Sequence, residues 1–568
     1  MIESYVYSLL QSKTKKALTI VVTLLALASA VMLVTSESVK VRLLQNQLSD
    51  NLTIYIDLPE GKSVYETKEV TSCVVQTLKK EEIITNMSIF LGESAPVDFS
   101  AMLKGRLFVS GENIANMLIN FKKGDEREES SVAAVHRLRP IVQKNCSMHN
   151  ANIKFIQDPA GPPYLAAIVL EVMSDENLSS MEKLAYRLED IFKTSKGLVD
   201  VDVLSDENFT RYAVALNREK IVKSRLGLEQ VKKTLYLAFE GANVAYSNDA
   251  NAQNQIPIHL ALSKKTKLFG SSKKEDLVRK FAEVKLLNSQ GRLVPLSELV
   301  TISATSSKHK IVSKNLSPLV SVVAETDEIS QIYALLDIRE KIQKKLSNEY
   351  EIEKSGLLDF TLVDKNTQER FNLHWDGEQK VSMDTIRDLS AALGVATILI
   401  FFMMVVYYEI FSLAAAIVLA SFISIVGVIY AHLIWDLFTP SNFYMTGTSL
   451  IGFIALIGIN SRNSLLIIDF AKQLIEERSL SVNRAISVSV NTRAKPILLT
   501  VLAIVFASAL LSTDPVFGGL GVALIGGTLV AYAVSLFIVP ILIQTPLLKQ
   551  YPIRLEIDDV SGCSIKVL

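Results

Sequence analysis

Five polar residues stand out in an apolar C-terminal region: Arg462, Asn463, Asp469, Arg493 and Thr500. Arg462 lies midway along GFIALIGINSRNSLLIIDFAK, a stretch long enough to cross a bilayer. An ionisable group at that depth costs at least about 2.5–3.5 kcal/mol on insertion scales, so Arg462 is expected to face a protein interior and to have a partner. Asn463 beside it can hydrogen-bond. Arginine stays protonated, so Arg462 can act as a fixed counter-charge but not as a proton carrier. Asp469 follows seven residues later, two helical turns on and near the same face. It is a weaker candidate, because it is close enough to the end of the stretch to be a solvated anchor. The next apolar run opens with Arg493-Ala-Lys495-Pro496 and carries Thr500 one turn in. Pro496 suits a first helical turn, and Arg493 also reads as a positive anchor. No carboxylate stands at mid-span, since Glu409 and Asp436 fall between the apolar runs. Proton coupling needs a titratable acid. Either this chain does not couple to protons, or the acid comes from a partner.

The elements that must hold these residues follow from how apolar residues are distributed. Residues 17–35 contain no charge, and from Leu389 to Ala471 only Glu409, Asp436, Arg462 and Asp469 are charged. About 20 apolar residues span a hydrocarbon core. The pattern predicts helices at 17–35, 389–408, 411–433, 447–472, 496–513 and 518–546, one before and five after a long polar segment. The first run is too long for a signal-peptide core and is expected to stay in place. Lys13, Lys15 and Lys16 precede it, which puts the N-terminus on the cytoplasmic side. Lys472, Arg478, Arg484, Arg493 and Lys495 then fall in a predicted cytoplasmic linker at about 472–495. The domains expected are 1–36 (N-terminal segment and first helix), an exported region 37–385, a membrane region 386–547 and a cytoplasmic tail 548–568. Gly518, Gly519, Gly521, Gly526 and Gly527 in the last helix are read as close helix packing.

Composition narrows the function classes. Over 568 residues, 59 Lys plus Arg balance 59 Asp plus Glu, with none of the basic excess of a nucleic-acid binder. Mean hydropathy is +0.30, an average over a charged exported lobe and a nearly uncharged membrane lobe. Gly61-Lys62-Ser63 resembles the end of a phosphate loop, but the Gly required five positions earlier is Ile56. There is no H-E-x-x-H and no G-x-S-x-G, so an ATP-driven pump, a zinc protease and an α/β hydrolase lack support, and no enzyme activity or cofactor is expected. No metal site is expected. Cys146-Ser-Met-His149 lacks further ligands, and Met87, Met102 and Met117 read as core residues. Cys73 and Cys146 are free to pair outside the cell, though nothing in their spacing requires it.

The exported region reads as repeated strand–helix–strand units: strand 52–58, helix 64–80 behind Ser63, strand 85–91; then strand 164–173, helix 178–195, strand 198–204. Further helices are expected at 131–145 and 227–238. The fold class is an α+β membrane protein.

Residues in every part of the chain carry a family resemblance. GFIALIGINSRNSLLIIDF, RAKPILLT and GGTLVAYAVSLFIVP resemble the second half of resistance-nodulation-division (RND) efflux transporters. FNLHWDGEQKVSMDTIRDLSAALGVATILIFFMMVVYYEIF resembles that half's junction with the membrane. LTIYIDLPEG, GESAPVDFSAMLKG, NMLINFKKGDERE, QDPAGPPYLAAIVLEV and RLVPLSELV resemble its periplasmic loop. The resemblance implies porter subdomains of βαβ type and a docking subdomain. It also implies a bacterial inner-membrane location, a trimeric assembly, and a periplasmic adaptor and outer-membrane channel as partners. Arg462, Arg493 and Thr500 match the second half's proton-relay positions, with Asn463 adjacent. The first half's Asp pair has no counterpart here.

The chain therefore reads as about half of one pump. The resemblance implies proton-antiport export of hydrophobic or amphiphilic compounds, with the Asp pair supplied by a separate first-half chain and the proton motive force in place of any cofactor. The alternatives are a homo-oligomeric half-size transporter using Asp469 or another acid, a non-transporting membrane scaffold for periplasmic partners, and half of an interrupted gene.

Overall fold

The computed structural model describes residues 2–43, 49–96, 101–102, 104–106, 109–157, 164–175, 177–263, 273–327, 329–356, 358–439 and 442–551. Among them, six helices are long and apolar enough to cross a membrane: Lys13–Thr35, Glu378–Tyr408, Phe411–Phe438, Gly447–Arg478, Val482–Leu511 and Gly518–Gln550. They are called the first to sixth spans here. The expected tail lies outside the described residues from 552 onward, as does Cys563.

Local chemistry sets the span ends. Ser12 caps the first, its hydroxyl accepting from the Lys15 amide at 3.4 Å. Thr446 and Ser449 form a capping box at the start of the fourth. In the third, Ser424 donates to the Ser421 carbonyl (2.6 Å), and the helix breaks there into Phe411–Ile423 and Ile425–Phe438. Serine back-bonding of this kind bends helices. The second begins at Glu378, ahead of the expected 389. Gly377, at φ +90°, packs so closely on the Ala166 carbonyl that any side chain there would clash.

The fifth span corrects an expectation. The linker predicted at 472–495 is helix from Val482 on, and Pro496 lies inside the helix, not in its first turn. Val482, Ala485, Ile486, Val490 and Ala494 recur at helical spacing and are buried against the membrane core. That stripe outweighs the cations beside it. The sixth span is central, packed on the third, fourth and fifth. At its crossing with the third, Gly427 and Gly526 face each other, and a methyl on either would overlap the other's backbone. An N-terminal helix that the sequence reading missed, Ile2–Gln11, buries Val6, Leu9 and Leu10, while its Glu3 pairs with Arg484 at 3.1 Å.

The segment between the first and second spans contains two modules on one plan. In the first, strands Asn51–Asp57, Ile84–Glu93, Ser110–Phe121 and Asn152–Ile156 form an antiparallel sheet in the order second–third–first–fourth. Helices Val64–Leu78 and Ser131–Cys146 share its core. The expected strands near 52–58 and 85–91 are therefore not neighbours. Ser110–Phe121 lies between them, making a split β-α-β arrangement. Cys73 and Cys146 are disulfide-bonded, with Cα atoms 5.7 Å apart, tying the two helices together and removing Cys146 as a ligand.

The second module repeats the plan. Strand Ser317–Thr326 pairs with both Leu198–Leu204 and Ile168–Met173, and the latter pairs with Arg370–Asp376. Helices Leu178–Lys193 and Gln331–Leu346 fill the core. Residues Asp206–Lys310 leave this module between two of its strands and form a separate compact unit. Among its described residues that unit has three antiparallel strand pairs, Thr210–Leu216 with Val300–Ser306, Ala242–Ser247 with Ile256–Leu260 and Lys285–Leu287 with Leu293–Pro295, and its own core around Val231, Phe281 and Leu296.

Buried ion pairs join the two modules. Lys154 of the first bridges Asp57 of its own module (3.0 Å) and Asp202 of the second, and Arg106 also pairs with Asp57. Arg139 reaches Asp200 (3.3 Å) and Asp327 (3.6 Å). Asp200 is 1% exposed and accepts from the Phe155 amide (3.0 Å) and Gln143 (3.2 Å). Burial alone would raise Asp57, but Lys154 and Arg106 hold it well below the usual carboxylate range. Burial pushes Asp200 up to about 6, against the pull of Arg139.

Candidate functional site

The fourth span brings most of the candidate residues together on one helix but divides them between its faces. Asn460, Ser461, Asn463 and Ser464 are buried, whereas Arg462 is exposed. Among the described residues no hydrogen bond or ion pair engages Arg462. The described residues of this chain supply neither the protein interior nor the partner expected for it, and the cation lies on the exposed face of the fourth span. Along the same exposed stripe lie Ile451, Ala455, Gly458 and Leu466. A side chain at Gly458 would meet open space, so the backbone there is open to close approach.

Asp469 is half-buried near the far end of the span. Tyr408 donates to one carboxylate oxygen at 2.8 Å and Tyr407 to the other at 3.4 Å, both from the second span. Lys472 lies 5.0 Å from the Tyr408 ring centre. This is a tethered carboxylate at the helix end, separate from Arg462. Arg493, on the fifth span, stacks on Phe470 of the fourth at 4.9 Å, and its Nε is buried without a hydrogen-bond partner. Thr500 donates to the Pro496 carbonyl at 2.9 Å, one turn back on its own helix.

Helical rise sets the relative depths. From the helix ends at Arg478 and Val482, Arg462 stands about 24 Å along the fourth span and Thr500 about 27 Å along the fifth, at 1.5 Å per residue. Arg493 stands at about 17 Å and Phe470 at about 12 Å, consistent with their contact. The two spans thus present an unpaired cation and a hydroxyl at one level, and a stacked guanidinium one to two turns below.

Sequence reasoning missed the polar seam on the other side of the fourth span. Asn460 donates to the Ala420 carbonyl (3.1 Å) and accepts from Ser535 (3.3 Å), linking the third, fourth and sixth spans. Ser421 and Ser461 lie 3.2 Å apart. His432 is fully buried between the Val428 carbonyl (2.8 Å) and the Ser449 hydroxyl (2.9 Å). Its signal is present in the sequence as a histidine within an apolar run. Where the second span meets the second module, Glu378 accepts from Arg42 (3.2 Å) and Gln331 (2.7 Å). Among the described residues no group of three or more His, Cys, Asp or Glu could hold a metal ion.

Long apolar helices with a lone outward cation at mid-depth, carrying two split β-α-β modules with a third unit inserted in the second, make up an RND-type transporter architecture. The sequence pattern of the AcrB/AcrD/AcrF family matches residues 1–545, and the chain belongs to that family of RND efflux transporters. It is 22% identical over 509 residues to the multidrug export protein AcrF of Escherichia coli (strain K12), covering 86% of this chain and 43% of that protein. It is 23% identical over 439 residues to the multidrug resistance protein MdtC of Proteus mirabilis (strain HI4320), covering 76% and 39%. Crystal structures of a heavy metal efflux pump share the fold. One superposes with a TM-score of 0.68 at 14% identity, over 96% of this chain and 52% of that one. A second crystal form gives 0.66, over 95% and 51%. The chain thus spans about half the length of the relatives it matches.

Proposed function

We propose that this chain is the second-half subunit of a proton-driven RND efflux pump in a bacterial inner membrane, completed by a first-half chain that carries the proton-binding Asp pair. The outward, unpaired Arg462 carries the reading. A guanidinium at mid-span facing lipid costs several kcal/mol, whereas the same group opposite a carboxylate pair on an adjoining helix bundle is favourable. The open backbone at Gly458 leaves room for that bundle.

In this reading the six helices cross the membrane with both termini cytoplasmic and the modules periplasmic. The disulfide supports the last point, since such bonds persist in oxidising compartments. When the partner's acids are ionised they attract Arg462. When they take up protons that attraction weakens and the fourth span is released to shift. Arg493 and Thr500 line the same interface and order the protonated state. The Asp206–Lys310 unit serves as the docking subdomain. The working assembly is trimeric and hands hydrophobic or amphiphilic cargo to a periplasmic adaptor and outer-membrane channel, as an antiporter with no cofactor.

A homo-oligomeric half-size transporter would instead use Asp469 or another acid, and two tyrosine hydrogen bonds tether the Asp469 carboxylate near the end of the fourth span. Proton-dependent efflux by the assembled pump separates the two. Arg462→Ala is expected to abolish transport with insertion intact, and Asp469→Asn to have a mild effect. Loss of transport in Asp469→Asn, with Arg462→Ala active, would reverse the assignment.

A further inference from the structure

We infer that the furrow between the N-terminal helix and the first, third and sixth spans binds an anionic phospholipid of the cytoplasmic leaflet. The furrow has a volume of about 400 Å³, and Leu9, Leu18, Val22, Val426, Val534 and Phe537 are among its lining residues. Of its three hydroxyl residues, Thr19 donates to the Lys15 carbonyl (2.9 Å) and Thr23 to the Thr19 carbonyl (2.8 Å), each on its own helix, and Tyr5 packs its ring edge-on against Phe537. The surface offered is therefore largely apolar, and Leu18 and Val22 are 65% and 56% exposed along it.

Its length fits one leaflet. From Leu18 to Ala26 the furrow runs about 12 Å at 1.5 Å per residue, against about 15 Å for half of a 30 Å hydrocarbon core. One turn beyond its end stand Lys13, Lys15 and Lys16. Lys13 and Lys15 are exposed. Lys15 is held over the N-terminal helix by Ser8 (2.6 Å), and Lys16 bonds Gln544 (2.5 Å). No Asp or Glu occurs from Ser4 to Ser36, and Glu3 is engaged with Arg484. Ammonium groups with no ion-pair partner among the described residues, at the mouth of an apolar slot, match a molecule with an anionic head and an aliphatic tail. A zwitterionic lipid would set its own ammonium against the lysines. None of these spans carries the outward Arg462, so the furrow and the proposed partner interface involve different helices.

The inference rests on the reading that these helices cross a membrane with the N-terminus inside. The test uses the full chain purified in detergent and titrated with palmitoyl-oleoyl phosphatidylglycerol or the matching phosphatidylcholine, with bound lipid read by native mass spectrometry. Phosphatidylglycerol is expected to bind in preference. Lys13→Gln with Lys15→Gln should lose roughly 25-fold of that preference, at about fivefold per lysine near an anionic head. Val22→Trp, on an exposed face, should displace the lipid while leaving the melting temperature unchanged. Equal binding of both lipids by the unsubstituted chain, an unchanged preference in the double variant, or a co-purifying polypeptide in place of lipid would each overturn the site. Labelling of Ser12→Cys from outside the cell would overturn the orientation instead, and would leave the lipid binding as measured.

Discussion

At the scale of single residues, charge decides most of what can be tested. Asp200 gives a pH prediction with a definite sign. Its carboxyl, raised from 3.8 to about 6 in the folded chain, keeps a proton that the unfolded chain has already released. Stability therefore falls as pH rises through that window, by at most about 3 kcal/mol. Asp57 is shifted the opposite way, so its effect belongs to more acidic solutions, below the ordinary aspartate range. The expected outcome is a melting temperature of the full chain that declines from pH 4 to 6.5, with the slope flattened in Asp200→Asn. An unchanged slope in that variant would assign the effect to another group. Sequence alone placed Arg462 at mid-depth but not its direction, for a physical reason. In a membrane, core and lipid-facing positions are both apolar: Leu456 and Ile467 are buried, Ile451 and Leu466 exposed. No polarity contrast marks the face, so only packing reveals that the cation points outward.

At the scale of elements, the long apolar helices and four module strands, near 52–58, 85–91, 164–173 and 198–204, were legible because their lengths and periods are strong signals. What escaped was tertiary. The start of the fifth span at Val482 was hidden by counting charges when the buried stripe was the deciding feature. The strand Ser110–Phe121 was recognised as family-like sequence, yet its place between two other strands is a matter of topology. The disulfide could not be read from spacing, because Cys73 and Cys146 meet only once both helices lie on one sheet. Closing a loop of 73 residues, it should stabilise the first module by about 4 kcal/mol. Cys73→Ser is expected to expose the Val64–Leu78 helix to faster hydrogen exchange while exchange in the Asp206–Lys310 unit is unchanged. The glycines of the sixth span, read from the start as packing residues, sit where helices touch. Gly526→Leu should separate the third and sixth spans and cost several kcal/mol, as overpacked cores do. Loss of the folded chain in detergent gel filtration would show this, whereas Gly458→Leu, on the open stripe, should leave it folded.

At the scale of the whole molecule, the zero net charge conceals a division of labour. The two modules carry many of the acids and bases and pair them within and between themselves. The membrane lobe holds Arg462 at mid-depth with no hydrogen bond or ion pair among the described residues. Family membership explains the architecture, and the chain spans about half the length of the relatives it matches. The most direct test is proton-driven efflux from proteoliposomes containing this chain alone, or this chain with an RND first-half chain bearing the Asp pair. We expect transport only from the pair, lost again in Arg462→Ala. Full proton-driven efflux from this chain alone would contradict the proposal.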